Sequence, residues 1–273
     1  MTMMKFADIL KLNRMLGEQL TQSPEYRIAV ISNITIHQIK EVLELTLRER
    51  GLNGHVTIGD YDSIVQDSLK FSDYNAVLVF WEVCNLIDGL ENKSYCMLPA
   101  DIADLAARVE GEIVLILRNL GKTPIVLLNK FSSQAFSSNV LRKASLTDLC
   151  NRLNEKLSDE LLPNQIIVDL DTVLARVGLD QAIDFRQYYS SRALYSIRFF
   201  CSYAEAVRPV FMAVTGRTKK VLVMDCDNTL WGGIIGEDGF AGIELSGDTT
   251  KGKIFRDVQA IVKGFRSEGV LLS

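Results

Sequence analysis

The chain has 273 residues, of which 48% are hydrophobic and 23% charged, so it can bury one large core or two modest ones. Its net charge of −4 and pI near 5.4 exclude the global basic field that nucleic-acid binding uses. The five cysteines are odd in number, scattered, and form no C-x-x-C pair, which argues against a disulfide framework or a zinc site.

The N-terminal segment is amphipathic, because charged and polar residues interrupt its apolar positions. It therefore fits neither a signal peptide nor a membrane span. We expect a cytoplasmic protein with no membrane partner and no nucleic-acid partner. Its oligomeric state is left open.

Helical and extended patterns alternate over the first 217 residues. Helices are predicted over about 4–20, 36–50, 100–120, 146–157 and 195–214, and strands over about 26–31, 55–58, 76–81, 124–128 and 165–168. Unbroken apolar runs such as 76–81 are typical of strands covered on both faces. The alternation favours right-handed crossovers. We predict a three-layer α/β/α domain over residues 1–217, with a five-stranded, mainly parallel sheet.

Polar side chains follow the predicted strands, at the carboxyl edge where open α/β sheets bind ligands. The residues considered there are Ser32, Asn33, Trp81, Glu82, Asn129, Asp169 and Asp171. Structural explanations also exist, since Ser32 or Asn33 can cap the following helix and Trp81 can end a strand under a loop. Of this set, Ser32, Asn33, Trp81 and Asn129 are our candidates for substrate binding.

The segment from Asp184 to Arg192 carries more polar and aromatic residues than a simple linker requires. Asp184, Arg186 and Tyr189 are therefore further candidates for substrate binding or an interdomain contact. A structural ion pair explains the two charged residues equally well.

The stretch VLVMDCDNTLWGG begins at Val221 and predicts a buried strand that delivers Asp225 to its C-terminal end. Because side chains alternate in an extended segment, Asp225 and Asp227 face one side. One carboxylate can attack phosphorus while the other gives a proton to the leaving oxygen. A Mg²⁺ ion held by the Asp225 carboxylate and the Asp227 backbone carbonyl would offset the repulsion between the anionic nucleophile and an anionic phosphate. Two solvated acids in a turn are the simpler alternative.

The longer stretch DCDNTLWGGIIGEDG resembles the first motif of the haloacid dehalogenase (HAD) superfamily, in particular its FkbH-like branch in subfamily IIIC. The resemblance continues through Gly252 and Phe255 to Leu272. It implies that residues 218–273 begin a HAD Rossmann-like domain, with a first strand, a flap over 234–242, a helix over about 253–267 and the start of a second strand. It also implies catalytic and metal-binding roles for Asp225 and Asp227.

HAD phosphotransferases also need a Ser or Thr after the second core strand, a later Lys and a further pair of acids. The family's serine would fall just beyond Ser273, so we expect an incomplete HAD domain and an inactive 273-residue chain. The resemblance implies that the full protein is a Mg²⁺-dependent phosphatase or phosphotransferase acting through an aspartyl phosphate. Its implied partners are a small phosphorylated substrate, such as a three-carbon acid, and an acyl carrier protein.

The order of elements over about residues 25–215 resembles the SGNH-hydrolase fold, a flavodoxin-like arrangement that FkbH-like proteins carry in degenerate form. Ser32 would take roughly the nucleophile's place, and the segment from Asp184 resembles the family's DxRxxY segment. The family's base is a histidine on a late loop, whereas this chain has only His37 and His55. An active esterase is therefore not expected. The alternative function is an inactive SGNH-like module that docks substrate or carrier protein.

Overall fold

The computed structural model describes residues 5–136, 145–267 and 269–273. The chain divides into two compact units, Met1–Phe211 (unit 1) and Met212–Ser273 (unit 2). The domain boundary that the sequence predicts near residue 217 stays a prediction. No helix within the described ranges is both long enough and apolar enough to cross a lipid bilayer.

Unit 1 alternates strands with helices, as the sequence predicts. Its strands are β1 (Tyr26–Ser32), β2 (Gly54–Ile58), β3 (Ala76–Phe80), β4 (Ile125–Asn129) and β5 (Gln165–Val168). The described helices that begin in this unit are α1 (Phe6–Gln19), α2 (Ile39–Arg48), α3 (Ile64–Lys70), α4 (Leu90–Lys93), α5 (Pro99–Asn119), α6 (Ser145–Asp159), α7 (Leu170–Val177), α8 (Leu179–Ala182), α9 (Phe185–Ser191) and α10 (Ile197–Val214). Short 3-10 turns over Val83–Asn85 and Gln134–Phe136 follow β3 and β4.

The five strands form one parallel sheet in the order β2-β1-β3-β4-β5. Ser32 at the end of β1 lies opposite Phe80, and Asn129 at the end of β4 lies opposite Val168. The carboxyl ends of the strands therefore meet at one edge, which places the residues that follow them close together.

Helices cover both faces of the sheet. On one face, Val77, Val79 and Leu128 join a buried cluster with residues of α3, α5 and α6. On the other face, the Phe80 ring lies 4.8 Å from the Tyr203 ring of α10, and the buried Glu44 of α2 accepts a hydrogen bond from the Val56 backbone N–H of β2 at 2.8 Å. The prediction of a three-layer α/β/α fold is confirmed.

Five short helices, α3, α4 and α7 to α9, are missing from the sequence-based description. Each has eight residues or fewer, so the apolar periodicity that marks a helix is too brief to read. Two of them begin at an aspartate cap: Asp169 accepts a hydrogen bond from the Asp171 backbone N–H, and Asp184 accepts one from that of Gln187.

Unit 2 contains the parallel strands β6 (Val221–Leu222) and β7 (Leu271–Leu272) and the helices α11 (Ile235–Gly242) and α12 (Thr250–Ser267). The prediction of a buried strand running to Asp225 is wrong. Strand β6 ends at Leu222, and Val221 and Val223 are 52% and 74% exposed. In the described residues β6 pairs with β7 alone, and a two-stranded sheet offers little cover for its side chains.

Candidate functional site

Ser32 lies at the carboxyl edge of the unit 1 sheet and is 4% exposed. Its Oγ accepts a hydrogen bond from the Ile34 backbone N–H at 3.1 Å. The interpretation of Ser32 or Asn33 as the cap of α2 is wrong, because the N-cap residue of that helix is Gln38. His37 is exposed, and among the described contacts no hydrogen bond joins it to Ser32. The Ser32 hydroxyl therefore stabilises the turn that follows β1.

Asn33 joins the loops that follow β1 and β3. Its Nδ2 donates to the Glu82 carbonyl oxygen, and its Oδ1 accepts from the Glu82 backbone N–H, both at 2.8 Å. The Asn85 side chain donates in turn to the Asn33 carbonyl oxygen at 2.5 Å. Asn33 is therefore a buried clamp that fixes the backbone of Glu82.

Glu82 is the buried acid of this edge, with 3% of its surface exposed. Burial raises the pKa of its carboxyl group from 4.5 to about 8; a hydrogen bond with Tyr195 opposes the shift, and the charge of Asp171 adds to it. Its Oε1 has no hydrogen-bond partner in the described structure. Glu82 is therefore largely a neutral carboxylic acid at pH 7.

Asn129 presents a second buried polar atom without a partner. Its Oδ1 accepts a hydrogen bond from the Tyr203 hydroxyl at 2.7 Å, whereas its Nδ2 has no partner among the described residues. Trp81 has a different role, because the residue is 8% exposed and its ring lies 5.6 Å from the Phe131 ring in the core. Buried polar atoms are nearly always hydrogen-bonded, so Glu82 and Asn129 mark a place for a polar partner.

The acids after β5 are neutralised within the protein. Lys130 Nζ lies 2.7 Å from Asp171 Oδ2 and 3.3 Å from Asp169 Oδ1. The Ser132 hydroxyl donates to the other Asp171 oxygen at 2.5 Å. The hydrogen bond with Asp171 raises the pKa of Lys130, so this group remains a cation at neutral pH. The cluster is an ion pair that joins the ends of β4 and β5.

The candidates on α9 lie beside the same edge. Thr35, in the loop after β1, donates its hydroxyl hydrogen to the Ser191 carbonyl oxygen at 2.7 Å. Asp184 caps α9, and the described structure contains no ion pair between it and Arg186. Arg186 is exposed, as is 65% of Tyr189. These two side chains are free to contact a ligand, whereas Asp184 already has a structural role.

The two acids of the unit 2 motif differ in their surroundings. Asp225 is exposed, and its Oδ1 accepts a hydrogen bond from the Cys226 backbone N–H at 2.8 Å. Asp227 is half-buried, and its Oδ1 accepts hydrogen bonds from Trp231 Nε1 at 3.0 Å and the Ile235 backbone N–H at 3.3 Å. Asp227 is therefore oriented by two donors, while the second Asp225 oxygen is uncommitted among the described residues.

The loop that carries these acids is fixed at both ends. Asn228 has a left-handed backbone with φ of 55°, and its Oδ1 accepts a hydrogen bond from the Gly233 N–H at 3.0 Å. Asparagine tolerates this conformation because its short side chain bonds locally. Gln259 of α12 donates to the Leu230 carbonyl oxygen at 2.7 Å, which ties the loop to that helix.

The metal-binding capacity of this loop depends on Asp225 and Asp227. No group of three or more His, Cys, Asp or Glu side chains in residues 5–136, 145–267 and 269–273 is placed to hold a metal ion. Mg²⁺ prefers oxygen ligands and often takes only one or two carboxylates, with waters and phosphate completing its shell. The Asp225 carboxylate and the Asp227 backbone carbonyl, which the sequence analysis names as ligands, are oxygen groups of that kind.

Two features of these sites were missed from the sequence. The hydrogen bond from Trp231 to Asp227 has no sequence signal, although both residues belong to the motif. Glu82 is not among the predicted substrate-binding residues, although a charged residue two positions after the end of the buried strand β3 is a usable signal of a buried acid.

No known sequence family matches the chain, and no curated protein matches it. Among solved structures, it is similar to the N-terminal part of the protein BF1531 from Bacteroides fragilis, described as containing a phosphatase domain and complexed with Mg. The identity is 18% and the TM-score 0.76, over 99% of this chain and 73% of that one. A salicylyl-acyltransferase, SsfX3, from a tetracycline biosynthetic pathway matches with 16% identity and a TM-score of 0.44, over 71% of this chain and 56% of that one. The similarity to BF1531 shows a shared α/β fold.

Proposed function

We propose that the chain is part of a Mg²⁺-dependent phosphatase or phosphotransferase of the HAD-like, FkbH-like kind. The observation that carries the proposal is a pair of acids two residues apart. Asp225 has one oxygen without a hydrogen-bond partner among the described residues, and Asp227 is oriented by two hydrogen-bond donors. The similar BF1531 structure supports the reaction class, because it is described with a phosphatase domain and Mg.

In the proposed reaction, the uncommitted Asp225 oxygen attacks phosphorus. The bond from phosphorus to the leaving oxygen breaks as Asp227 gives that oxygen a proton. A water then attacks the aspartyl phosphate and gives its proton to Asp227, and the bond between phosphorus and Asp225 breaks. The donors Trp231 and Ile235 hold one Asp227 oxygen, which leaves the other to carry the proton.

Asp225 and Asp227 are the residues that would hold Mg²⁺. When bound, the ion would offset the repulsion between an anionic nucleophile and an anionic phosphate.

The test compares Asp225→Asn and Asp227→Asn with Asp257→Asn, a matched change at an exposed acid of α12. In the full-length gene product we expect hydrolysis of a phosphomonoester that requires Mg²⁺. It should be abolished by the first change and lowered roughly 10²-fold or more by the second, because general acid and base help is lost. The Asp257 variant should keep its activity. A phosphoenzyme trapped at another residue would refute the assignment.

A second candidate function belongs to unit 1, in which we propose a binding module rather than an esterase. The observation favouring it is the pair of buried atoms without partners, Glu82 Oε1 and Asn129 Nδ2, beside a Ser32 hydroxyl that is committed to a turn. Substrate or an acyl carrier protein would dock at this edge, with Arg186 and Tyr189 exposed beside it.

Serine-directed labelling tests the second candidate. We expect a fluorophosphonate probe to leave Ser32 unlabelled, and short acyl esters to be cleaved no faster than by Ser32→Ala, because no base in the described part of the chain is hydrogen-bonded to the hydroxyl. Labelling of Ser32 together with ester cleavage that the mutation removes would make unit 1 an esterase.

A further inference from the structure

A groove of about 260 Å³ lies beside β5, the last strand on one side of the unit 1 sheet. Its apolar lining includes Leu127 of β4, Ile166 and Val168 of β5, Val173 of α7 and Val207 of α10. Every residue that lines the groove belongs to unit 1. The groove is therefore separate from the motif loop of unit 2.

The groove is open because the helices cover β5 incompletely. Ile167 packs against the buried cluster on the opposite face of the sheet. Since side chains alternate along a strand, Ile166 and Val168 face α7 and α10. Ile166 nevertheless remains 39% exposed. An apolar surface over the outer strand is thus left without a partner in the described part of the chain.

The two charged residues that line the groove are in different states. Asp169 accepts a hydrogen bond from the Thr172 hydroxyl at 2.7 Å, and its other oxygen lies 3.3 Å from Lys130 Nζ. Arg176 is exposed and makes no ion pair or hydrogen bond with the described residues. Its guanidinium group is always a cation and carries donors for an anionic partner. The groove therefore combines an apolar surface with one uncommitted positive charge.

We propose that this groove binds a straight-chain aliphatic carboxylate, with the chain against Leu127 and Ile166 and the carboxylate on Arg176. Two parallel N–H groups of a guanidinium match the two oxygens of a carboxylate. The volume lies just below the usual range of ligand pockets, roughly 300–1,000 Å³, which favours a short chain. The inference is independent of the proposed phosphoryl transfer, because no residue of unit 2 takes part in it.

The test follows the amide NMR shifts of the whole 273-residue chain during titration with four probes. These are octanoate, hexanoate, 1-octanol and octylammonium. We expect octanoate to shift amides of β5 and α7, and to bind about twofold to fivefold more tightly than 1-octanol, the range of an exposed ion pair. Hexanoate should bind more weakly, by up to about fourfold for each methylene lost. Octylammonium should bind most weakly of the eight-carbon probes.

Three variants separate the head group from the chain. Arg176→Gln should remove the preference for octanoate over 1-octanol without weakening 1-octanol. Arg50→Gln, at an exposed arginine outside the groove, should keep that preference. Ile166→Thr should weaken octanoate and 1-octanol alike, because it removes apolar contact while threonine suits a strand. Unchanged amide shifts elsewhere in unit 1 would show that each variant is folded.

Several outcomes would overturn the proposal. Equal binding of octanoate and 1-octanol, or equal effects of the two arginine changes, would remove the role of Arg176. Shifts confined to other parts of the chain, or no shifts, would remove the groove as the site, as would an Ile166 variant that binds both probes normally. Shifts of the groove amides with protein concentration alone would assign the groove to a second copy of this chain.

Discussion

Gly252 and Gly264 lie on the same helix, α12, in opposite surroundings. A Cβ on Gly252 would overlap the Ser246 carbonyl oxygen, whereas nothing lies within 4 Å of one on Gly264. We expect Gly252→Ala to destabilise unit 2, because backbone atoms must move to admit the methyl group. Gly264→Ala should stabilise the helix by about 0.5–1 kcal/mol. Hydrogen exchange of α12 amides measures both effects, and effects of the same sign would contradict this account.

Glu82 predicts a pH dependence of stability. Its pKa is about 8 in the fold, against 4.5 for an ordinary glutamate. Between these values the unfolded chain has lost the proton that the fold still holds, so the free energy of unfolding falls as pH rises. The slope approaches about 1.4 kcal/mol per pH unit for one proton. The contribution of Glu82 to the free energy of unfolding is fully present below pH 4.5 and is lost as the pH rises through about 8.

Glu82→Gln removes the titrating proton and should flatten that slope. The measurement is urea unfolding between pH 5 and 8, in a Trp231→Phe background so that Trp81 is the sole tryptophan reporter. Glu25→Gln, at an exposed acid, is the matched control and should leave the slope unchanged. A slope that survives in the Glu82 variant would assign the effect to other groups.

At the scale of single elements, a short helix depends on its cap. Helix α9 has seven residues and starts at Asp184, whose Oδ1 accepts the Gln187 N–H at 3.0 Å. Asp184→Ala should cost about 1 kcal/mol of unit 1 stability, whereas Asp184→Asn should cost little because asparagine caps equally well. Denaturant unfolding measures both. A large loss with asparagine would show that the charge of Asp184 matters more than its capping bond.

The two units differ in how they are stabilised. Every buried hydrophobic side chain of the described chain lies between Ile9 and Phe211, and from residue 212 onward the one described residue that is buried is Gly252. Buried apolar area is the main stabilising contribution to a fold, so unit 2 should open locally at a much lower free energy. We expect its amides to exchange with deuterium faster than those of β1, β3 and β4. Equal protection in β6 and β7 would contradict this.

The sequence by itself determined the main elements, because apolar runs and periodicity are local properties. Strand β5 has the predicted bounds of 165–168, β1, β2 and β3 each differ by one residue at one end, and β4 is shifted by one residue at both ends. Helices of ten or more residues were also found, whereas the short ones were not. The motif at Asp225 and Asp227 was likewise visible, since its chemistry depends on residue types and spacing.

Tertiary structure alone decided the state of the groups at these sites. Burial raises the pKa of Glu82, the hydrogen bond with Tyr195 opposes the shift and the charge of Asp171 adds to it, and both of these residues are distant in sequence. The apolar run predicts that Val221 and Val223 are buried, yet both are exposed. Burial depends on what packs against a strand and not on the hydrophobicity of the strand itself. Desolvation and hydrogen-bond partners are properties of the assembled fold, so no local pattern of residues encodes them.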